Sequence, residues 1–224
     1  MRTIITIDGP SGAGKGTVTR LVAEALGWHL LDSGALYRIL GYAGKQAGVS
    51  LDDGEKLAEL AISLEIAFTP QSNGDIAVWL NGDDITSQIR TEQGGSAASQ
   101  VAVHPEVRQA LLTLQRGFVR APGLVADGRD MGTVVFPRAA VKIFLTASAE
   151  ERAKRRHKQL KDMGKSVSLP RLLEDIQARD QRDEARAASP LIAADDAIRI
   201  DSTTMSIEEV TQRVLQEAER RSLS

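Results

Sequence analysis

Residues 5–19 read ITIDGPSGAGKGTVT. An apolar, largely β-branched run ends at Asp8, and Gly9, Pro10, Ser11, Gly12, Ala13, Gly14 and Lys15 then follow the spacing G-x-x-x-x-G-K. Val18, Leu21, Val22, Ala25 and Leu26 recur at helical spacing, and Gly27 suits the position just past a helix end. The stretch therefore reads as strand, glycine-rich turn and helix. Such a turn points several backbone N–H groups inward, and the helix N-terminus adds positive potential, so phosphate oxygens bind there without side chains. Lys15 adds a mobile point charge. An ordinary glycine-rich turn is the competing reading, and the complete spacing between strand and helix weighs against it. The residue after the lysine is Gly16, with the hydroxyl one place later on Thr17. In the usual pattern a hydroxyl at position 16 ligates Mg²⁺; Gly16 cannot, so Mg²⁺ would lean mainly on substrate phosphates and water.

Outward from this stretch, "WHLLD" is a short apolar run ending at Asp32, after which Ser33 could cap a helix running towards Gly48. Asp52 with Glu55 looks like a helix start, with Leu57, Leu60, Ala61 and Leu64 as its buried stripe. The pattern then changes. "LEIAF", "DIAVWL" and "DITSQI" read as strands, with turn signals at Asn73-Gly74 and Asn81-Gly82, so a small antiparallel insert is expected at residues 64–90. Two helices follow, broken near His104-Pro105. "PGLVADGRD", "AVKIFL" and "AIRID" are buried-strand runs, and Ser206 with Glu209 forms a capping box before a last helix. Strands alternating with helices predict an α/β fold: a mostly parallel sheet with helices on both faces.

The totals narrow the function classes. The chain has 224 residues, 42% hydrophobic and 26% charged, enough for one sizeable core with small appendages. With 28 basic and 30 acidic residues the net charge is −2, which gives no overall attraction to nucleic acid or an anionic membrane. The absence of cysteine excludes disulfides and thiolate metal sites or nucleophiles. Apolar runs are shorter than a membrane span and no apolar leader precedes the first strand, so a cytoplasmic location is expected.

"GPSGAGKGT" is similar to the loop of nucleoside-monophosphate kinases, where Gly-Lys-Gly-Thr is usual. Together with "LLDSGALYR", "SQVA", "DGRDMGTVVFP", "KIFLTAS" and "RDQRDEAR", the chain resembles the bacterial cytidylate kinases along nearly its whole length, strand insert included. The resemblance implies one P-loop kinase domain over residues 1–224, an acceptor-binding region at 33–120 and a helical lid at 149–165. It implies phosphoryl transfer from ATP, with Mg²⁺, to CMP and dCMP. It also implies a monomer, with no nucleic-acid or membrane partner. The displaced hydroxyl fits an enzyme whose second substrate is itself a nucleotide phosphate.

Candidate acceptor residues form three groups. Ser33, Tyr37 and Arg38 share one side of a helix start; from spacing alone they could equally cap, pack and face solvent, whereas the resemblance puts them in the acceptor site. Arg129 lies between Asp127 and Asp130 past the end of a buried strand, where open α/β sheets bind ligands; a structural ion pair is the alternative. The resemblance places Arg129 on the acceptor phosphate and Asp130 on cytosine. A carboxylate accepts from the exocyclic amine of cytosine but repels the carbonyl oxygen of uracil. By resemblance, Ser99 and Arg108 complete the base contacts. Arg179, Asp183 and Arg186 follow i, i+4, i+7, which on its own reads as an intrahelical ion-pair ladder. The family's matching Arg and Asp hold the ribose, and the last Arg reaches the phosphates.

"RAKRRHKQLK", residues 152–161, carries six Lys or Arg and no acid. It could be a solvated helix or a nucleic-acid patch; in the family this segment is the lid, whose arginines, here Arg155 and Arg156, close on the transferring phosphoryl group. With Lys15, Arg129 and Arg186 these form the expected catalytic set. A guanine-nucleotide switch is disfavoured by the lack of an N-K-x-D segment, and a small-acid kinase on the same scaffold by the arginine clusters beside Asp130. An RNA-binding module is disfavoured by the charge balance and the 4% aromatic content.

Overall fold

β1 (Thr3–Asp8) runs straight into the glycine-rich loop and α1 (Lys15–Leu26), whose C-terminus is closed by Gly27 in the left-handed region. This computed structural model describes residues 3–71, 76–162, 164, 166–185 and 189–221. Asn73-Gly74 and Arg186 lie outside the described residues.

The chain divides into two compact units, residues 1–32 with 116–224, and residues 33–115. The first unit is built on a five-stranded sheet ordered β2 (His29–Asp32), β6 (Gly123–Gly128), β1, β7 (Val141–Thr146), β8 (Ile198–Asp201), with every pairing parallel. Ile5, Ile7, Val125, Val141, Ile143, Leu145 and Ile200 on the strands pack with Val18 and Val22 of α1. Val210, Val214 and Ala218 of α9 (Ile207–Arg220) complete that cluster. β6 is buried along its entire length, which explains its unbroken apolar reading. The expected Ser206–Glu209 capping box opens α9.

Register positions the site. Asp8 pairs with Gly128 and Ile7 with Asp127, so the phosphate loop and the Arg129–Asp130 segment leave adjacent strands at the same carboxyl edge. After Asp130 the chain forms one π-helical turn, Met131–Val135, which the sequence did not announce. α7 (Ala149–Asp162) and α8 (Leu169–Glu184) pair through their own small cluster of Ala153, Leu160 and Leu172.

The second unit begins with α2 (Ser33–Gln46) and α3 (Gly54–Ser63), followed by the insert. α3 is capped by Asp53, whose carboxylate accepts the Lys56 N–H at 3.1 Å, one residue later than the expected cap at Asp52. The insert is an antiparallel sheet of β3 (Ile66–Pro70), β4 (Ile76–Leu80) and β5 (Asp83–Asp84). Asn81 and Gly82 both have positive φ, as a two-residue hairpin turn requires. "DITSQI" does not remain a strand. The Asp84 carboxylate accepts the Thr86 N–H at 2.9 Å and its hydroxyl at 2.5 Å, ending β5 and opening the short α4 (Thr86–Ile89). α5 (Glu92–Val101) packs on α2, and α6 (Pro105–Gly117) starts at the expected proline.

Candidate active site

The phosphate loop is held by backbone geometry. Gly9 has φ +148°, and a Cβ there would collide with the Leu145 carbonyl of β7, so only glycine lets the chain turn this close to the neighbouring strand. Lys15 is buried, and its ammonium donates to the Pro10 carbonyl at 2.8 Å across the loop. Burial, reinforced by the charges of Arg129 and Arg179, brings Lys15 down to about 7 against the upward pull of Asp127 and Asp8. Cationic charge thus converges on the loop from β6 and from α8.

Arg129 sits past the end of β6 and donates through Nε to Asp183 of α8 at 2.7 Å and through a terminal nitrogen to the Gly128 carbonyl at 3.3 Å. Asp183 is fully buried. The ion pair considered for Arg129 from sequence is therefore real, and it joins β6 to α8. Asp130 is buried beside it, and its carbonyl accepts the N–H groups of Val134 and Val135 at 2.9 and 3.1 Å. Asp127 is buried too, with a carboxylate oxygen 3.6 Å from where a Cβ of Gly16 would lie. It fills the flank that the missing hydroxyl leaves open, and the sequence reading passed over it as a mere neighbour of Arg129.

The basic helix divides its arginines. Arg152 is buried: it donates to the Ala147 carbonyl at 2.9 Å and the Ser11 carbonyl at 3.0 Å, and its two terminal nitrogens meet the Asp180 carboxylate at 3.1 and 2.5 Å. One guanidinium thus ties the phosphate loop, the end of β7 and α8 together. At i, i+3 and i+4 Arg152, Arg155 and Arg156 share one helix face by spacing, yet only Arg152 is turned fully inward. Arg155 donates to the Ser202 carbonyl at 2.5 Å, the Ser202 hydroxyl at 3.2 Å and Glu151 at 3.1 Å, and Arg156 to Gln159 at 2.6 Å. To meet a phosphoryl group, Arg155 must exchange these bonds.

Within the second unit, Ser33 does not act as a helix cap. It is the first residue of α2, and its hydroxyl donates to Gln115 Oε1 at 2.9 Å, both residues being buried. Gln115 was not foreseen, because a glutamine within an amphipathic helix gives no sequence signal. Tyr37 is buried, with the Arg108 guanidinium 5.6 Å from its ring centroid. Arg108 is itself buried and also donates to the Ala102 carbonyl at 3.2 Å. The Ser99 hydroxyl is buried with no hydrogen-bond partner, and Arg38 is half-buried. Trp79 is partly exposed on β4 and lines an open pocket of the insert with Glu65, Ile66, Ala67, Thr69 and Gly82.

A family model described as cytidylate kinase matches residues 5–220. The chain belongs to the cytidylate kinase family. The cytidylate kinase of Colwellia psychrerythraea is 58% identical over 95% of this chain and 94% of its own. That of Stutzerimonas stutzeri is 58% identical over 99% and 97%, and that of Aeromonas salmonicida 56% identical over 98% and 95%. The protein is thus an enzyme, a kinase that uses ATP. Among the described residues no helix is long and apolar enough to cross a membrane.

The depressed lysine gives this kinase a measurable proton linkage. A lysine held down near 7 loses its charge in weakly alkaline solution, and a polyphosphate bound at the loop would favour the charged form. Nucleotide binding near pH 8 is therefore expected to take up close to one proton, and affinity to fall as pH rises further. Titration calorimetry in two buffers of different ionisation enthalpy reads this directly. Equal heats in both would mean that Lys15 is already charged before binding.

Proposed function

We propose that the enzyme transfers the γ-phosphoryl group of ATP to a phosphate oxygen of CMP, and of dCMP, giving ADP and the nucleoside diphosphate. The observation that carries this reading is the adjacency, on neighbouring strand ends, of the phosphate loop with Lys15 and of the Arg129–Asp130 pair anchored by Asp183. A phosphate-bearing donor and a phosphate-bearing, amino-bearing acceptor suit these two groups. In this reading residues 9–17 and Lys15 hold the donor. Arg129 and Arg186 hold the acceptor phosphate, Arg179 and Asp183 the ribose, and Asp130 the cytosine amine. Ser33, Tyr37, Arg38, Ser99 and Arg108 are further acceptor ligands, by resemblance. The unpartnered Ser99 hydroxyl supports that assignment, since a buried hydroxyl without a partner is costly unless a ligand completes it.

The acceptor oxygen is anionic at neutral pH, so neither a general base nor a covalent intermediate is required. Catalysis is positioning plus charge: loop amides and Lys15 orient the donor, and arginines balance charge spread over the transferring group. Arg155 and Arg156 are proposed to supply the last of that charge from a lid at 149–165, which must also exclude water or ATP would be hydrolysed. Mg²⁺ fits the loop through Asp127, the hard oxygen donor beside Gly16, with phosphates and water as its other ligands. When bound it would supply positive charge that offsets the charge of the donor phosphates. We take the enzyme to be a cytoplasmic monomer, a single functional kinase domain without nucleic-acid partners.

ATP with CMP should give CDP and ADP in equal amounts, far faster than ATP alone gives ADP; ADP release indifferent to CMP would reject the assignment. Asp130→Ala is expected to narrow the gap between CMP and UMP in kcat/KM by about tenfold or more, since discrimination at one base edge is worth about 1–3 kcal/mol. An equal fall for both substrates would take Asp130 off the base.

A further inference from the structure

Asp8 is the last residue of β1 and is buried, yet it belongs to none of the phosphate-loop or acceptor residues assigned above. Its Oδ1 accepts the N–H of Met131 at 2.8 Å and its Oδ2 the N–H of Gly132 at 2.7 Å. These are the two residues that follow Asp130 and open the π-helical turn. The carbonyl of Asp130 accepts from Val134 and Val135 within the same turn, so the backbone on the C-terminal side of Asp130 is fixed from both directions. Single π-turns of this kind are uncommon and recur at functional sites. Gly132 eases the approach, because a Cβ there would lie 3.0 Å from Thr6 Oγ1 and 3.3 Å from Asp8 Oδ2, and these side chains would have to give by a few tenths of an ångström.

The arrangement is unlike the other carboxylate and hydroxyl caps of this chain. Asp53, Thr91 and Ser206 each cap the helix that directly follows them in sequence. Asp8 instead reaches across more than a hundred residues and is buried where its charge is unfavourable. Burial pushes its carboxyl up to about 6 despite the two N–H bonds, with Asp130 adding to the rise and Lys15 opposing it. An apolar side chain would fill the position at the end of this buried strand but would leave the buried N–H groups of Met131 and Gly132 without their acceptor.

We propose that Asp8 is a positioning residue for acceptor selection: by clamping the N–H groups of Met131 and Gly132 it sets the direction in which Asp130 meets the acceptor base. The inference rests on the reading of Asp130 as the base-contacting carboxylate. Asp8 also begins the chain segment that holds the donor, so one short stretch fixes the donor loop through its backbone and acceptor choice through its side chain.

Three variants test this with ATP, CMP and UMP, with thermal melting to monitor the fold. Asp8→Asn keeps the volume but turns an NH₂ group towards one of the two N–H donors. It is expected to raise KM for CMP by about tenfold, the loss of one charge-assisted bond. It should lower the CMP-over-UMP preference by a similar factor and leave KM for ATP within about twofold. Gly132→Ala pushes on the same clamp from the other side and is expected to move the same two quantities in the same direction. It decides the matter if Asp8→Asn does not fold. Asp130→Asn is the control, and its failure to narrow the preference would reject the reading of Asp130, whatever Asp8 does. If Asp130→Asn narrows it while Asp8→Asn and Gly132→Ala lower only melting temperature or kcat, the positioning role is overturned. A rise in KM for ATP as large as that for CMP would overturn it too, by assigning Asp8 to the donor loop.

Discussion

Lys15→Met is expected to reduce turnover by about two to three orders of magnitude, the usual consequence of removing a donor aimed at charge that develops in the transition state. The same variant should melt at a higher temperature than the parent enzyme. Lys15 is buried and its ammonium is held from an ordinary 10.5 down to about 7, so the folded state opposes its charge. In linkage terms the unfolded chain binds more protons than the folded one between about pH 7 and 10.5, so stability of the parent rises with pH across that window. The disadvantage of the buried lysine is therefore complete at and below pH 7, where it amounts to a few kcal/mol at most. Methionine occupies similar volume without that charge. The gain in melting temperature should thus be largest near pH 7 and shrink towards pH 10, a trade of stability for activity common at catalytic sites. CMP binding, measured without ATP, should change little. A variant that loses stability and activity together would make Lys15 a structural residue of the loop.

Asp183→Ala is expected to damage both stability and chemistry. The Asp183 carboxylate is fully buried and receives Arg129 at 2.7 Å, so its removal leaves a guanidinium without its main partner. Breaking such a pair from one side costs about 3–5 kcal/mol. The electrostatic consequence goes further, because the charges of Arg129 and Arg179 already bear on Lys15. Without Asp183 they are balanced by less negative charge, and Arg129 is free to leave the orientation proposed to hold the acceptor phosphate. We expect kcat/KM for CMP to fall by at least about a hundredfold, with KM for ATP much less affected. Asp183→Asn, which keeps an acceptor oxygen, should recover part of the stability and less of the activity. If Asp183→Ala melted normally and lost only CMP affinity, the carboxylate would be a sugar ligand alone and not the anchor of Arg129.

The parts of the fold written in local sequence were legible. The strand, loop and helix over residues 5–26, the buried strands at 123–128 and 141–146, and the capping box at Ser206 follow from periodicity and cap chemistry that act over a few residues. "DITSQI" was misread because its alternation is strand-like, while the Asp84 carboxylate offers Thr86 a turn that competes with the ladder. The π-turn after Asp130 was invisible, since the group that shapes it, Asp8, is remote in sequence. The same holds for the site. Lys15 and the loop have a spacing that can be read directly. Arg152 reads as one of six basic residues on a single helix, and only the fold brings Asp180 and the Ser11 carbonyl to it. Asp183 looked like one rung of an intrahelical ladder, and only the fold brings Arg129 from β6. Gln115 under Ser33 carried no pattern at all.

We propose above that a kinase loop works beside a carboxylate that reads cytosine on a phosphate acceptor. It is tested most directly by initial rates of ADP release with ATP fixed and CMP, dCMP, UMP, AMP and GMP offered in turn to the parent enzyme. The expected result is the highest kcat/KM for CMP, substantial turnover of dCMP, a marked drop for UMP and little reaction with either purine. A purine nucleotide accepted as well as CMP, or UMP equal to CMP, would contradict it.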